Sequence, residues 1–487
     1  MRAFIFLPLA LSACTNGETN LLKTHALDDG PGPGEATGGS QHFEPTIPAA
    51  IPCPDDTTVD WELELAWEVG HPYAYQVAHG RVFDTTGDGV VDRRDTPVFV
   101  SSESEGAVRA YFFEDEHEDR TIVDEAWRSY TRLANTDHLQ GAEVVVSWYL
   151  NGDSNDRVTV VGEESNQTHL VPENSTISPW VADFDHDGSA DIAVEGRAVH
   201  ATTGTVSSHW GRAPNDTLFP VAVDLDGDGE VENLSAVWEG YDAGDFGIVD
   251  ASGHLAGLCF HDDGDWTTFI TAVGNLDRDP DGEFVVAAGN RLVVCDTNGS
   301  ARAETTTPVE QPALLAIGNL DADPEPEIVL SGRGIYVYDH HLNPLWAVED
   351  HDWLPSSLAD LDADGVHEVL VTRGTGDLEI YNGEGRLLTE WRIYGRSVGH
   401  SWRAQPVVAD VDLDGLAEII VPGAPTVVLE NGDGGFNAPG GSNGWAGVDH
   451  IPGSLSTTGS AGTTSRHWES GGHNGWNARP TCVPVGD

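Results

Sequence analysis

The stretch VADFDHDGSADIAVEG places Asp183, Asp185, Asp187 and Asp191 within a few residues of one another. Like charges held so close repel unless a cation lies among them. The order D-x-D-x-D-G-x-x-D offers hard oxygen donors at alternate positions, and Gly188 permits the sharp turn that would wrap them round an ion. Calcium suits such a donor set. An EF-hand would need a bidentate Glu at position 12, but that position is Val194, already inside an apolar run. The acidic ninth residue is therefore left with the bidentate role, closing the loop as the next strand begins.

Counted by loop positions 1, 3, 5 and 9, the motif recurs along the chain. FDTTGDGVVD carries Asp84, Asp88 and Asp92, and VDLDGDGEVE carries Asp224, Asp226, Asp228 and Glu232. GNLDRDPDGE holds Asn275, Asp277, Asp279 and Glu283, and GNLDADPEPE holds Asn319, Asp321, Asp323 and Glu327. ADLDADGVHE supplies Asp360, Asp362, Asp364 and Glu368, and ADVDLDGLAE supplies Asp410, Asp412, Asp414 and Glu418. Asp84 and Asp183 stand two periods apart, and a decayed copy lies midway: Asn135, Asp137 and Glu143, with Leu139 at position 5. The motif thus occurs eight times, at intervals of roughly 40–50 residues, the mark of a repeat architecture. Paired catalytic carboxylates, as in glycosidases, come once per active site, so recurrent clusters read as structural metal loops. No catalytic residue is assigned; H-E-x-x-H and C-x-x-C are both missing.

Short apolar strands must position these loops. An apolar run precedes each loop, as in QPVVADVD; DIAVEG, EFVVAAG, EIVLSG, EVLVTRG and EIIVPG follow them. Next come runs such as GIYVYD, DLEIYN and TVVLEN, a turn, and often a Trp-bearing segment, NPLWAVE or LLTEWRI. Four short strands per period with no helical periodicity predict an all-β chain, a β-propeller of eight four-stranded blades, seven being the alternative count. The last blade, starting near Gln405, shows three strands, while Asp60–Val69 carries Trp67 in the pattern of a fourth strand. The ring is therefore expected to close through that N-terminal strand, which removes an exposed sheet edge. Trp67, Trp127, Trp210, Trp346 and Trp391 are expected to anchor the packing of blades.

Loops and strands together resemble, over residues 60–435, the FG-GAP or VCBS-type repeats of integrin α-subunit head propellers and many bacterial surface proteins. The resemblance implies that the loops join the first two strands of each blade and bind calcium. It also implies a cell-surface role in adhesion, or in binding a protein, another macromolecule or a glycan. A polysaccharide lyase or related hydrolase on a propeller scaffold is one alternative; it is disfavoured by a lone lysine, Lys23, where acidic sugars need cationic partners. A scaffold subunit of an envelope complex is the other.

Composition bounds the partners. Asp and Glu number 81 against 23 Lys and Arg, a formal charge of −58, which excludes nucleic acid as a partner. The N-terminal MRAFIFLPLALSAC has one basic residue and an apolar run too short to span a bilayer. Its Leu11-Ser12-Ala13-Cys14 resembles the lipobox of bacterial lipoproteins, which implies a signal over 1–13 and a lipid on Cys14, with the bacterial outer membrane or cell surface as the destination. Residues 14–56 are polar and rich in Gly and Pro, as a tether would be; 57–435 form the propeller; 436–487 form a Gly- and Ser-rich tail returning to the N-terminal seam. Four cysteines remain, which permit three connectivities; the expected pairs are Cys53 with Cys482 and Cys259 with Cys295, buried thiols being the alternative.

Overall fold

The computed structural model describes residues 51–52, 482–483 and, between 61 and 436, the strands named below with parts of the turns joining them. Among these residues the regular structure is β-strand, arranged as a succession of antiparallel meanders.

The first sheet contains Ala74–Gly80, Val98–Glu103, Val108–Phe112 and Arg120–Val123. The second contains Arg128–Ala134, Glu143–Tyr149, Asp156–Val161 and Asn166–Val171. The third is built of short strands, Trp180–Ala182, Asp191–Val194, Arg197–Val199 and Val206–Ser207. Val221–Val223, Glu232–Trp238, Gly244–Val249 and Leu255–Asp262 form the fourth. Phe269–Gly274, Glu283–Ala288, Arg291–Cys295 and Ala301–Thr306 form the fifth. The sixth has Leu314–Gly318, Glu327–Tyr338 and Pro344–Trp353, and the seventh Ser356–Ala359, Glu368–Thr372, Leu378–Tyr381 and Leu387–Trp391. The eighth joins Val407–Ala409, Glu418–Val421 and Thr426–Asn431 to the N-terminal Leu63–Val69, which pairs antiparallel with Thr426–Asn431.

Position within a sheet decides how a strand's sequence reads. Glu283–Ala288 and Glu418–Val421 are buried along their whole length because neighbouring sheets cover both faces, so they appear as unbroken apolar runs after one acidic residue. Ala301–Thr306, the outermost strand of its sheet, has no buried residue and mixes partly buried with exposed ones. Side chains interlock between sheets: Leu276, Val285 and Leu292 of the fifth pack with Ile317, Ile328 and Tyr338 of the sixth. Val77 and Tyr111 of the first sheet pack with Val407, Ile420 and Val428 of the eighth, which brings the two ends of the repeat array together. Each such fully buried aliphatic side chain contributes about 1.5–3 kcal/mol.

Tryptophans of the outer strands work at these seams. Trp346 stacks on Tyr381 of the next sheet and its indole N–H donates to the Gly383 carbonyl at 2.6 Å. Trp67 meets Phe113 edge-on at 5.5 Å, and Trp391 packs between the seventh and eighth sheets. Trp127 and Trp210 lie outside the described residues.

The sixth sheet departs from the expected four strands. Its Glu327–Tyr338 is continuous: Glu327–Ser331 pairs with Leu314–Gly318, and Arg333–Tyr338 pairs with the outer strand. Gly334, at φ 110°, makes the bend, a backbone conformation that favours glycine. A disulfide joins Cys259 of the fourth sheet to Cys295 of the fifth, with Cα atoms 5.8 Å apart. Ile51–Pro52 pairs in parallel with Cys482–Val483; Cys53 and Cys14 lie outside the described residues.

Candidate metal-binding loops

Each motif lies between the first and second strands of its sheet. In seven of them the register is the same: the ninth residue opens the second strand, opposite the last residue of the first. The pairs are Ala134 with Glu143, Ala182 with Asp191, Val223 with Glu232, Gly274 with Glu283, Gly318 with Glu327, Ala359 with Glu368 and Ala409 with Glu418. The first motif breaks this rule. There Gly80 pairs with Val98, so a longer connection carries Asp84, and Asp92 falls before the strand. Asp84 instead accepts from the Gly87 N–H at 2.6 Å, and its own N–H donates to Glu163 at 3.3 Å.

The shared register has a chemical cause. One oxygen of the ninth residue accepts from the N–H of the second: Leu225 to Glu232 at 2.6 Å, Leu276 to Glu283 at 2.6 Å, and Leu320 to Glu327 at 2.5 Å. Leu361 to Glu368 and Val411 to Glu418 follow at 2.8 Å each. The second residue is itself a buried plug, with Leu225, Leu276, Leu320, Leu361 and Val411 all in the core. Glu283, Glu327, Glu368 and Glu418 are at most 4% exposed, and a carboxylate so buried must be hydrogen-bonded and charge-compensated. One oxygen of each therefore closes the loop, which refines the bidentate role that the sequence suggested for this residue.

The remaining acidic positions wind into a tight turn. Asp323 N–H donates to Asp321 at 2.7 Å and Glu325 N–H to Asp323 at 3.0 Å. In the seventh loop, Asp364 N–H donates to Asp360 at 3.1 Å and Gly365 N–H to the same carboxylate at 3.0 Å. Gly365, at φ 89°, supplies the left-handed turn at position 6. Carboxylate oxygens of Asp321, Asp323 and Glu327 come within 4.8 Å of one another, as do those of Asp360, Asp362 and Glu368.

Such crowding resists ionisation. Burial, reinforced by Asp321 and Asp323, pushes Glu327 up to about 8. Burial and the neighbouring Asp364 push Asp362 up to about 6. Glu368 is held well above the usual range, first by burial and then by Asp362. A cation among these oxygens would relieve both causes and release protons on binding. The donors are hard, all oxygen and several per loop, which fits calcium rather than a softer transition metal.

Neighbouring loops also touch. The Gly282 N–H donates to the Leu225 carbonyl at 2.8 Å, and the His367 N–H to the Asn319 carbonyl at 2.7 Å, so position 8 of one loop is tied to the start of the preceding one. Among the other motif residues, Asn275 is buried, while Asp277 and Asp412 are exposed. Asp88, Asp92, Asn135, Asp137, Asp183, Asp185, Asp187, Asp224, Asp226, Asp228, Asp279, Asp410 and Asp414 lie outside the described residues. Two participants lie outside the acidic motif. The apolar second position could have been found from its recurrence in NLD, DLD and DVD. Arg302 could not: its guanidinium lies 2.7 Å from Asp277 and 3.4 Å from Glu283, contacts made across the sheet.

Residues 360–421 match the family model of the FG-GAP-like repeat, a span running from one loop to the second strand of the following sheet. No curated protein sequence matches the chain significantly. Among solved structures, the biofilm matrix protein Bap1 of V. cholerae is similar at TM-score 0.55 and 14% identity, covering 82% of this chain and 97% of that one. The Dos1 propeller matches at TM-score 0.47 and 10% identity, covering 76% and 95%. BamB from Moraxella catarrhalis matches at 0.44 and 11%, covering 75% and 97%. At 14% identity the likeness to Bap1 speaks to fold alone. Repeated antiparallel sheets, their side-by-side packing and the repeat match together make this chain a β-propeller that carries an FG-GAP-like repeat.

Proposed function

We propose that the chain is an exported, lipid-anchored surface protein whose propeller is stapled by structural calcium and presents a face for adhesion to another macromolecule or a glycan. One observation carries the calcium part: a ninth carboxylate bonded to the second-residue N–H closes five loops, buried in four of them and half-buried in the other, and two of these loops gather three carboxylates within 4.8 Å. The ions hold the turns between the inner strands of the sheets, leaving the other exposed turns and the outer strands for a ligand. The charge of −58 keeps such a protein soluble and repels polyanions, which favours neutral or basic partners. The structural likeness to a biofilm matrix protein supports an adhesive role.

Two measurements test this. Thermal melting in calcium and in chelator should differ by several degrees, reversibly; identical curves would remove the metal from the account. Immobilised protein should then retain cells or extracellular polysaccharide in calcium and release them in chelator. Depolymerisation of a retained polysaccharide would replace adhesion by an enzymatic reading, and failure to retain either would sink the adhesive one.

A further inference from the structure

We infer that the fifth loop carries its own cation, Arg302, and takes no calcium while its neighbours do. This rests on the calcium reading of the other loops. In the fifth loop Glu283 spends one oxygen on the Leu276 N–H, as its counterparts do. Its other oxygen faces the Arg302 guanidinium at 3.4 Å, and the same Nη1 holds Asp277 at 2.7 Å. The guanidinium thus spans positions 3 and 9, the pair that contributes to both three-carboxylate groups of the sixth and seventh loops. An ion bound to those oxygens and a guanidinium bonded to them exclude each other by charge and by space.

Arg302 reaches the loop from a β-bulge. The pairing shifts between Cys295 with Ala301 and Val294 with Ala303, which leaves Arg302 as the extra residue, and a bulge re-aims the side chain it carries. The fourth, sixth and seventh sheets have the same bulge at the same place, with Ala256, Leu345 and Leu388 as the extra residue. None of these can supply a charge. The substitution of a cation at one bulge therefore converts one repeat of a common loop into an internally neutralised staple that holds at any calcium concentration.

The test is calcium stoichiometry of the purified full chain, by equilibrium dialysis or native mass spectrometry, with the metal alone as probe. Arg302→Gln should gain one ion per chain over the wild type, Asp277→Asn should leave the number unchanged, and Asp362→Asn in the seventh loop should lose one. A loss of one ion in Asp277→Asn overturns the inference, because the fifth loop would then hold calcium despite Arg302; so does an unchanged number in a folded Arg302→Gln. Should Arg302→Gln not fold, Asp277→Asn still decides. A wild type that binds no calcium, with Asp362→Asn indistinguishable from it, takes down the underlying calcium reading and this inference with it.

Discussion

Replacing Glu368 by Gln separates the two tasks assigned to the ninth residue. The amide keeps an oxygen for the Leu361 N–H, 2.8 Å away, and removes only the charge. In chelator, burial favours the neutral form of Glu368, so the variant should melt within about 0.5 kcal/mol of the wild type, the scatter of a benign substitution. In calcium the variant forfeits one site. Extracellular modules bind with dissociation constants of about 0.1–1 mM, so at about 10 mM calcium one site adds roughly 1.4–2.7 kcal/mol. The variant should fall behind the wild type by that much, read as midpoints of denaturant unfolding in parallel calcium and chelator series. Glu368→Ala gives the contrast: it strands a buried N–H, which should cost about 1–3 kcal/mol in chelator already, and in calcium it forfeits the site as well. If Glu368→Gln costs the same with and without calcium, the carboxylate serves the backbone alone and the metal argument fails.

Three further outcomes follow from the geometry. Glu327 moves from 4.5 to about 8 on folding, so between those values the folded protein keeps a proton that the unfolded chain has released; in chelator its contribution to stability is present below pH 4.5 and declines as pH rises to 8. The gap between wild type and Glu327→Gln should widen in favour of the variant over that window and vanish below it; a gap independent of pH refutes the burial of that charge. Gly383→Ala should destabilise by more than about 2 kcal/mol, since a Cβ there would stand 1.5 Å from the Leu320 carbonyl oxygen, and thermal melting would show it; a neutral result would mean the seam can part without cost. Joint replacement of Cys259 and Cys295 by serine should cost up to about 4 kcal/mol, from closing a loop of 36 residues, with the two single mutants equivalent to the double. Unchanged unfolding under reducing conditions would contradict that contribution.

Loop composition and strand pattern were legible because both are local. Carboxylates at alternate positions announce themselves by spacing, and the unbroken apolar run after each ninth residue follows from burial on both faces. The pairing of Leu63–Val69 with Thr426–Asn431 was also readable, since a strand without partners at one end and a gap at the other share a Trp pattern. The sixth sheet was less so: Glu327–Tyr338 reads as two strands parted by glycines, yet the bend at Gly334 keeps them one element. In the first repeat the acidic motif looked like the others, but it sits in a longer connection and out of register.

The order of residues alone determined the number of motifs, their donor chemistry and the all-β character, because each depends on neighbours within a few positions. What surrounds each loop was decided by contacts between segments distant in the chain. Arg302 reaches Asp277 across 25 positions, and His367 meets Asn319 across 48. Such contacts depend on strand register and on one extra residue in a bulge, and they leave no periodic trace because they compensate charge in space rather than along the backbone.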